Sequence, residues 1–476
     1  MVKNFPVSYH LIFASIIALL GGSFQFGYHI GCINPSASII QRWFNQSYYS
    51  IHEKYLDTQK LDLYWAITVS IFSFGGMIGG MATGVVAEKF GRKVSLHYNN
   101  IIITIATLFM MTSKYFNVFY FLIVGRFLIG IGCGLASGLV PLYLTEISPT
   151  MYRGMFGSLP QLFIVFGILF STIICYRKFL GTTELWPHIF TFSLFPAIIQ
   201  IIGLYFISES PKYLLISKKD EEKSYKALKK FRVNRDVRNE FDEIKNESMS
   251  NSSEEDKVAY KDMLSPPLRW PLIISIMMML SQQFSGINAA IFYSTKIFEN
   301  AGMTGDIPYF ATFAISIINL LMTIVSIWLV DHPKCGRRML HLSGLIGVLF
   351  MSIFIVVSLL AAQSEGNLKS FGQYASILSI VLFVIFFALG PGSIPWFYVN
   401  EIFDSNARAH ASSIACLCNW LASFIVGIIF LPLNNILGPY TFLIFSAFLV
   451  ICIIFTFKFV PETKGKTISE IKQKLA

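Results

Sequence analysis

Gly91-Arg92-Lys93 ends one apolar stretch of this sequence, and Gly336-Arg337-Arg338 ends another. That pair decides the fold, because two further pairs follow in the same order. Glu146-Ile147 precedes Arg153, and Glu401-Ile402 precedes Arg408, each arginine seven residues after its glutamate. Ser208-Glu209-Ser210-Pro211 is then answered by Pro461-Glu462-Thr463-Lys464. One Gly-Arg-Arg match carries no information. Three ordered pairs imply a duplicated unit.

Between these marks the chain is apolar. No Asp, Glu, Lys or Arg lies from Phe5 to Gln41, Leu63 to Ala87, Trp270 to Thr295, or Ile307 to Val330. The same holds from Met339 to Ser364, Ser370 to Asn400, and Ala409 to Phe457. A helix needs roughly 20 apolar residues to cross about 30 Å of hydrocarbon, so each run holds at least one span. The last holds two, divided at Asn434-Asn435-Ile436-Leu437-Gly438-Pro439, a turn-forming stretch. With four shorter runs the count is twelve. The 476 residues are 54% hydrophobic and 13% charged, against about 25% charged in soluble domains.

The expected fold is therefore an all-α membrane protein of twelve transmembrane helices in two pseudo-symmetric six-helix bundles. Parallel repeats of this kind build the major facilitator fold, with substrate held near the midplane between halves. Residues 1–211 and 270–460 are the expected bundles, 212–269 a cytoplasmic helical linker, and 461–476 a short cytoplasmic tail. In the linker, Tyr225, Leu228 and Phe231 fall on one helical stripe, while Asn246 to Asp256 reads as loop.

Basic residues orient the chain weakly. The short loops on each side carry eight Lys or Arg, so number alone does not choose. The compact clusters Lys89–Lys93 and Lys334–Arg338 abut span ends and place both termini in the cytoplasm, with the chain in the plasma membrane. The net charge of +10 then reflects topology and an acidic lipid surface, not a nucleic-acid partner. The sequon Asn45-Gln46-Ser47 falls in the first outside loop and makes Asn45 the candidate glycosylation site. Cys416 and Cys418 point to different sides of a helix, which argues against a metal site. No nucleophile–base pair or phosphate loop is present, so neither an enzyme nor a cofactor is expected.

Amides inside the apolar spans carry the functional signal. Gln161, Gln282, Gln283, Asn288, Asn319 and Asn419 all sit there, where an unpaired polar group is costly. Each amide offers two donors and an acceptor with two lone pairs, which suits a neutral, hydroxylated ligand. The alternative is hydrogen bonding between helices. Gln283 and Asn288 are five residues apart, about 140° around a regular helix. They can face one small ligand only if the helix unwinds between them, and Gly286 allows that. Trp396 lies beside Gly390-Pro391-Gly392 and Pro395, the marks of a bending helix.

The chain resembles the facilitative glucose transporters (the GLUT family) of the sugar-porter branch of the major facilitator superfamily. The resemblance runs from Gly22 to about Ile471. It is carried by Gln25-Phe26-Gly27-Tyr28, Gly75-Gly76-Met77-Ile78-Gly79, Pro141-Leu142-Tyr143-Leu144-Thr145-Glu146-Ile147 and Gln282-Gln283-Phe284-Ser285-Gly286-Ile287-Asn288. Gly390-Pro391-Gly392-Ser393-Ile394-Pro395-Trp396 and Pro461-Glu462-Thr463-Lys464-Gly465 complete it. It implies facilitative uniport of a hexose, D-glucose first, with galactose or fructose beside it. Gln161, Gln282, Gln283, Asn288, Asn319 and Trp396 become the sugar contacts. Arg92, Glu146, Arg153, Glu209, Arg337, Glu401, Arg408 and Glu462 become gating charges that pair across the halves in the outward-open state.

Three positions depart from the family pattern. Ala388 stands where glucose-selective members have Glu, Met279 leads where a Gln leads, and Ser423 stands for Asn. Proton-coupled relatives place an Asp after the Gly-Tyr of the first span. Here His29 follows Gly27-Tyr28 and reads as an outer vestibule residue. Proton relays use intramembrane acids, so uniport leads. A proton-coupled symporter and a non-transporting sugar sensor are the alternatives.

Overall fold

The computed structural model describes residues 8–233, 236–250, 260–332, 334–403 and 405–464, together with 466, 470, 471 and 473. Helices occupy the apolar runs: α1 Tyr9–Gly31, α2 Thr58–Phe90, α3 Arg92–Tyr115, α4 Phe119–Ile147, α5 Met155–Ile174 and α6 Trp186–Phe206. The second half follows with α7 Pro266–Asn300, α8 Ile307–Val330, α9 Arg337–Ala362 and α10 Asn367–Ile402. The last apolar stretch is two helices, α11 Ser405–Leu437 and α12 Thr441–Phe459, parted where Gly438 takes φ +54°. Twelve spans result, and α7 starts four residues before the expected boundary at Trp270.

The sequence breaks helices where a site is needed. Regular helix in α7 stops at Gln283 and resumes at Ile287, across Gly286 at φ +89°. A side chain at Gly286 is excluded twice, by that backbone and by the Phe445 ring 2.8 Å from a Cβ there. Likewise α10 stops at Leu389 and resumes at Ile394, across Gly390-Pro391-Gly392. These breaks turn side chains from successive turns toward one point.

The halves meet with α2 along α11 and α5 along α8. Lipid gives apolar helices no hydrophobic reason to associate, so close packing of small residues does the work. A Cβ on Gly76 of α2 would lie 2.5 Å from the Trp420 ring of α11. On the face away from the termini the seam is closed by hydrogen bonds. Asn34 donates to the Ile291 carbonyl (2.9 Å) and to Ser294 Oγ (2.7 Å), and the Tyr309 hydroxyl donates to the Thr172 carbonyl (2.6 Å).

Two surface segments are more ordered than their composition suggests. The outer segment holding Asn45 is a helix, Ala37–His52, with Trp43 and Phe44 buried. Asn45 Oδ1 accepts from the Leu56 N–H, and the Ser47 hydroxyl is buried against the Asn117 carbonyl. In the linker, Glu221–Phe231 is helical as its stripe predicts, with Leu228 and Phe231 buried. A second linker helix runs on to Ser250, past the expected loop start at Asn246, because Phe241 and Ile244 pack beside Tyr225.

The duplicated charges build the same small machine twice at the terminal face. Arg92 Nη2 donates to Glu146 at 2.7 Å, and Arg337 Nε donates to Glu401 at 3.3 Å. Glu209 accepts the backbone N–H groups of Arg92 and Lys93, and Glu462 accepts those of Arg337 and Arg338. Each glutamate therefore caps the first turn of α3 or α9, where a negative charge is favoured. Burial pushes the Glu209 carboxyl above its usual range, and the N–H groups of Ser210 and Lys93 with the Arg92 charge pull it back. Gly91 and Gly336 are glycines for one shared reason: a Cβ would meet the capping carboxylate at 2.6 Å and 2.0 Å. In this conformation the Arg92–Glu146 and Arg337–Glu401 pairs run within each half rather than across the halves. Arg408 donates to the Phe403 carbonyl (3.3 Å) in its own half, and the Arg153 side chain lies outside the described residues.

Replacing Glu462 by Ala should cost about 1–2 kcal/mol, the weight of a helix cap. A lowered melting temperature of the purified protein checks it. Glu222→Ala, at a side chain 78% exposed, should change nothing. Equal melting of all three proteins would remove the capping role.

Candidate functional site

A cavity of about 870 Å³, open solvent at its mouth included, lies between the halves at the depth of the two helix breaks. Gln161 of α5, Gln282, Gln283 and Asn288 of α7, Asn319 of α8 and Trp396 of α10 all line it. The six residues proposed from the sequence thus share one site. No Asp, Glu, Lys, Arg or His lines it among the described residues.

The amides are arranged by one another. Gln282 Nε2 donates to the Pro391 carbonyl (2.9 Å) and the Gly392 carbonyl (2.8 Å) in the α10 break. Gln282 Oε1 accepts from Gln283 Nε2 (3.3 Å) and from Asn419 Nδ2 (2.8 Å). Gln283 Nε2 also donates to Asn419 Oδ1 at 3.0 Å. Asn288 Nδ2 donates to Gln283 Oε1 and to Ser423 Oγ (2.7 Å). The unwound turn at Gly286 is what brings Asn288 back onto Gln283. Ser423 in turn shares a 2.9 Å hydrogen bond with Ser73 of α2, in the opposite half. Gln161 and Asn319 have no side-chain partner among the described residues, so their amides face the cavity unspent.

Aromatic rings complete the wall, and some were not foreseen. Trp420 of α11 sits 5.1 Å from Phe26 of α1 and 5.9 Å from Phe72 of α2, ring centre to ring centre. A tryptophan deep inside an apolar span, next to Asn419, was the available signal, because belt tryptophans sit at span ends. Nothing in the sequence marks Phe26 or Phe72. Of the three departures from the family pattern, Ala388 and Ser423 line the cavity. Met279 lies behind the wall, where its backbone carbonyl accepts from Asn419 Nδ2 at 3.4 Å.

His29 is corrected by the structure. It is fully buried rather than in a vestibule, and its backbone carbonyl accepts from Arg126 Nη1 at 2.9 Å. Arg126 is an intramembrane charge that the sequence reading passed over. It is 0% exposed, donates to the Thr68 carbonyl (3.4 Å), and lies 4.5 Å above the Phe72 ring. Carbonyl dipoles and a ring face take the place of a carboxylate there. This ties α4 to α1 and α2. Asn45 lies apart, beside Asn34 and Lys296 on a separate outer cavity of about 780 Å³.

Proteins similar to this chain are named as sugar transporters. Facilitated glucose transporter protein 1 of Caenorhabditis elegans is 46% identical over 462 residues, covering 97% of this chain and 90% of that protein. Solute carrier family 2, facilitated glucose transporter member 3 of Ovis aries is 43% identical over 461 residues, with 97% and 92% covered. The inward-open structure of the E. coli xylose transporter XylE superposes with a TM-score of 0.77 at 25% identity, covering 97% of this chain and 99% of that one. The sequence model of the Sugar (and other) transporter family matches residues 14–475. The chain belongs to that family.

Proposed function

We propose that this protein moves a hexose, D-glucose first, across the cell membrane by uniport, the two halves opening alternately to either side of the cavity. The observation that carries the reading is the cavity wall: neutral amides and two indoles, with no charged side chain among the described residues. Such a wall suits an uncharged ring covered in hydroxyls, because amides exchange hydrogen bonds with hydroxyls and an aromatic face covers C–H surface. Gln161, Gln283, Asn288, Asn319 and Trp396 are the proposed contacts, with Gln282 in the same cluster and Trp420 added. The two bundles move as units joined by the linker, the termini are cytoplasmic, and Asn45 is the glycosylated position. In the outward-open state the gating charges exchange their present partners for ones across the terminal face.

Uptake of labelled glucose, fructose and galactose into proteoliposomes tests the reading. Glucose should equilibrate and stop, with no sugar-dependent proton movement reported by a pH dye inside the vesicles. Proton flux above that of empty vesicles would overturn uniport, and absence of uptake for all three would overturn hexose transport.

Asn288→Leu should reach the membrane yet bind sugar roughly 5- to 150-fold more weakly. Its Oδ1 has no partner among the described residues, and losing it leaves a sugar hydroxyl unpaired, at about 1–3 kcal/mol. Unchanged uptake kinetics at matched expression would remove Asn288 from the site.

A further inference from the structure

Asp62 lies in the outer end of α2, buried, with no Lys or Arg paired to it among the described residues. An ionisable group within a span needs a reason to be there. Its partner belongs to the other half: Asn435 of α11 donates Nδ2 to Asp62 Oδ2 at 2.8 Å. A hydrogen bond to a carboxylate is roughly twice as strong as one between neutral groups. The α2–α11 flank of the seam is thus clasped on its outer side by one charged bond.

The α5–α8 flank is clasped by a backbone carbonyl. Helix α5 ends at Ile174, and the Tyr176 N–H bonds the Ile173 carbonyl. That leaves the Thr172 carbonyl without the N–H a longer helix would supply. Tyr309 of α8 fills the gap from the other half, its hydroxyl donating at 2.6 Å. Stacking on Tyr176, 4.7 Å between ring centres and 27° between planes, aims the Tyr309 ring there. The neighbouring Arg177–Asp306 pair spans the same flank at 3.7 Å, but its side chains are 66% and 45% exposed. Water screens such a pair, so it adds little.

We propose that these two clasps hold the outer face shut, and that Asp62 and Tyr309 are positioning residues that set the balance between its closed and open forms. Neither residue lines the cavity, so they act on opening and not on the sugar. The halves meet along α2–α11 and α5–α8, and a clasp at the outer end of each helix pair must break before that pair can splay. The inference deepens the alternate-opening reading above.

Double electron–electron resonance on the purified protein in proteoliposomes tests it. Nitroxide labels go on Phe116→Cys and Leu368→Cys, exposed outer positions of opposite halves, while the native cysteines are all buried or half-buried. A control pair, Phe116→Cys with Phe179→Cys, reads distance inside one half. Tyr309→Phe keeps the ring stack and loses only the hydroxyl. It should raise the odds of the long outer distance roughly three- to tenfold, and Asp62→Ala roughly tenfold. Asn435→Ala, at an exposed position, removes the same bond as Asp62→Ala. It should match that variant, and the two together should go no further, whereas Asp62→Ala with Tyr309→Phe should multiply. Unchanged outer distances in Tyr309→Phe and Asn435→Ala would overturn the proposal, and these two decide it even if Asp62→Ala does not fold. A merely structural role would instead broaden the control distance, which also overturns it. The distances are read without any uptake, so a wild type that moves no hexose would sink the transport reading and leave the clasps standing.

Discussion

The grip of the Gln282 amide on the Pro391 and Gly392 carbonyls is the interaction on which the site depends. Breaking a helix inside a membrane exposes backbone carbonyls, and each one that neither protein nor cavity water meets is expensive. Two helices are broken here at the same depth, and the side chain that ends one break satisfies the carbonyls opened by the other. The cost of the α10 break is thereby offset by a side chain of α7. Gln283, Asn288 and Asn419 then inherit their orientation from a backbone that cannot turn over.

That dependence explains which parts of the site were legible in the sequence. The repeat and the apolar runs gave twelve spans, because membrane length and backbone satisfaction leave few other solutions. The break at Gly286 was legible from arithmetic: Gln283 and Asn288 cannot share a face of a regular helix. Five of the six proposed cavity residues were legible because amides inside apolar runs need a reason to be there, and Trp396 came with the family resemblance. The partners of those amides were not, since two of them are main-chain carbonyls that any residue supplies. Trp420 was missed as a wall residue because its neighbours, Phe26 and Phe72, belong to the other half of the chain. Arg126 was missed because a single cation among apolar residues looks like noise until its carbonyl partners are seen. The Ala37–His52 helix stayed hidden because its burial comes from tertiary contacts with Trp65, Phe119 and Trp186.

The duplicated charges belong to the same logic at the membrane surface. Glu209 and Glu462 fasten the turns between spans, and Arg92 and Arg337 hold Glu146 and Glu401 within their own halves. Each six-helix bundle is thus stiffened internally at its terminal face. The seam between bundles is closed at the other face by Asn34 and Tyr309. Stiff bodies joined along a seam of small residues are what alternate opening requires. At cavity depth, the Ser73–Ser423 hydrogen bond joins the amide wall to the opposite half.

The most direct measurement is a structure of this protein with D-glucose bound, at a resolution that shows the ring. The account predicts the sugar between the two helix breaks, its hydroxyls against Gln283 and Asn288, and an indole of Trp396 or Trp420 over the ring. Sugar density elsewhere, or a sugar that touches neither Gln283 nor Asn288, would contradict it.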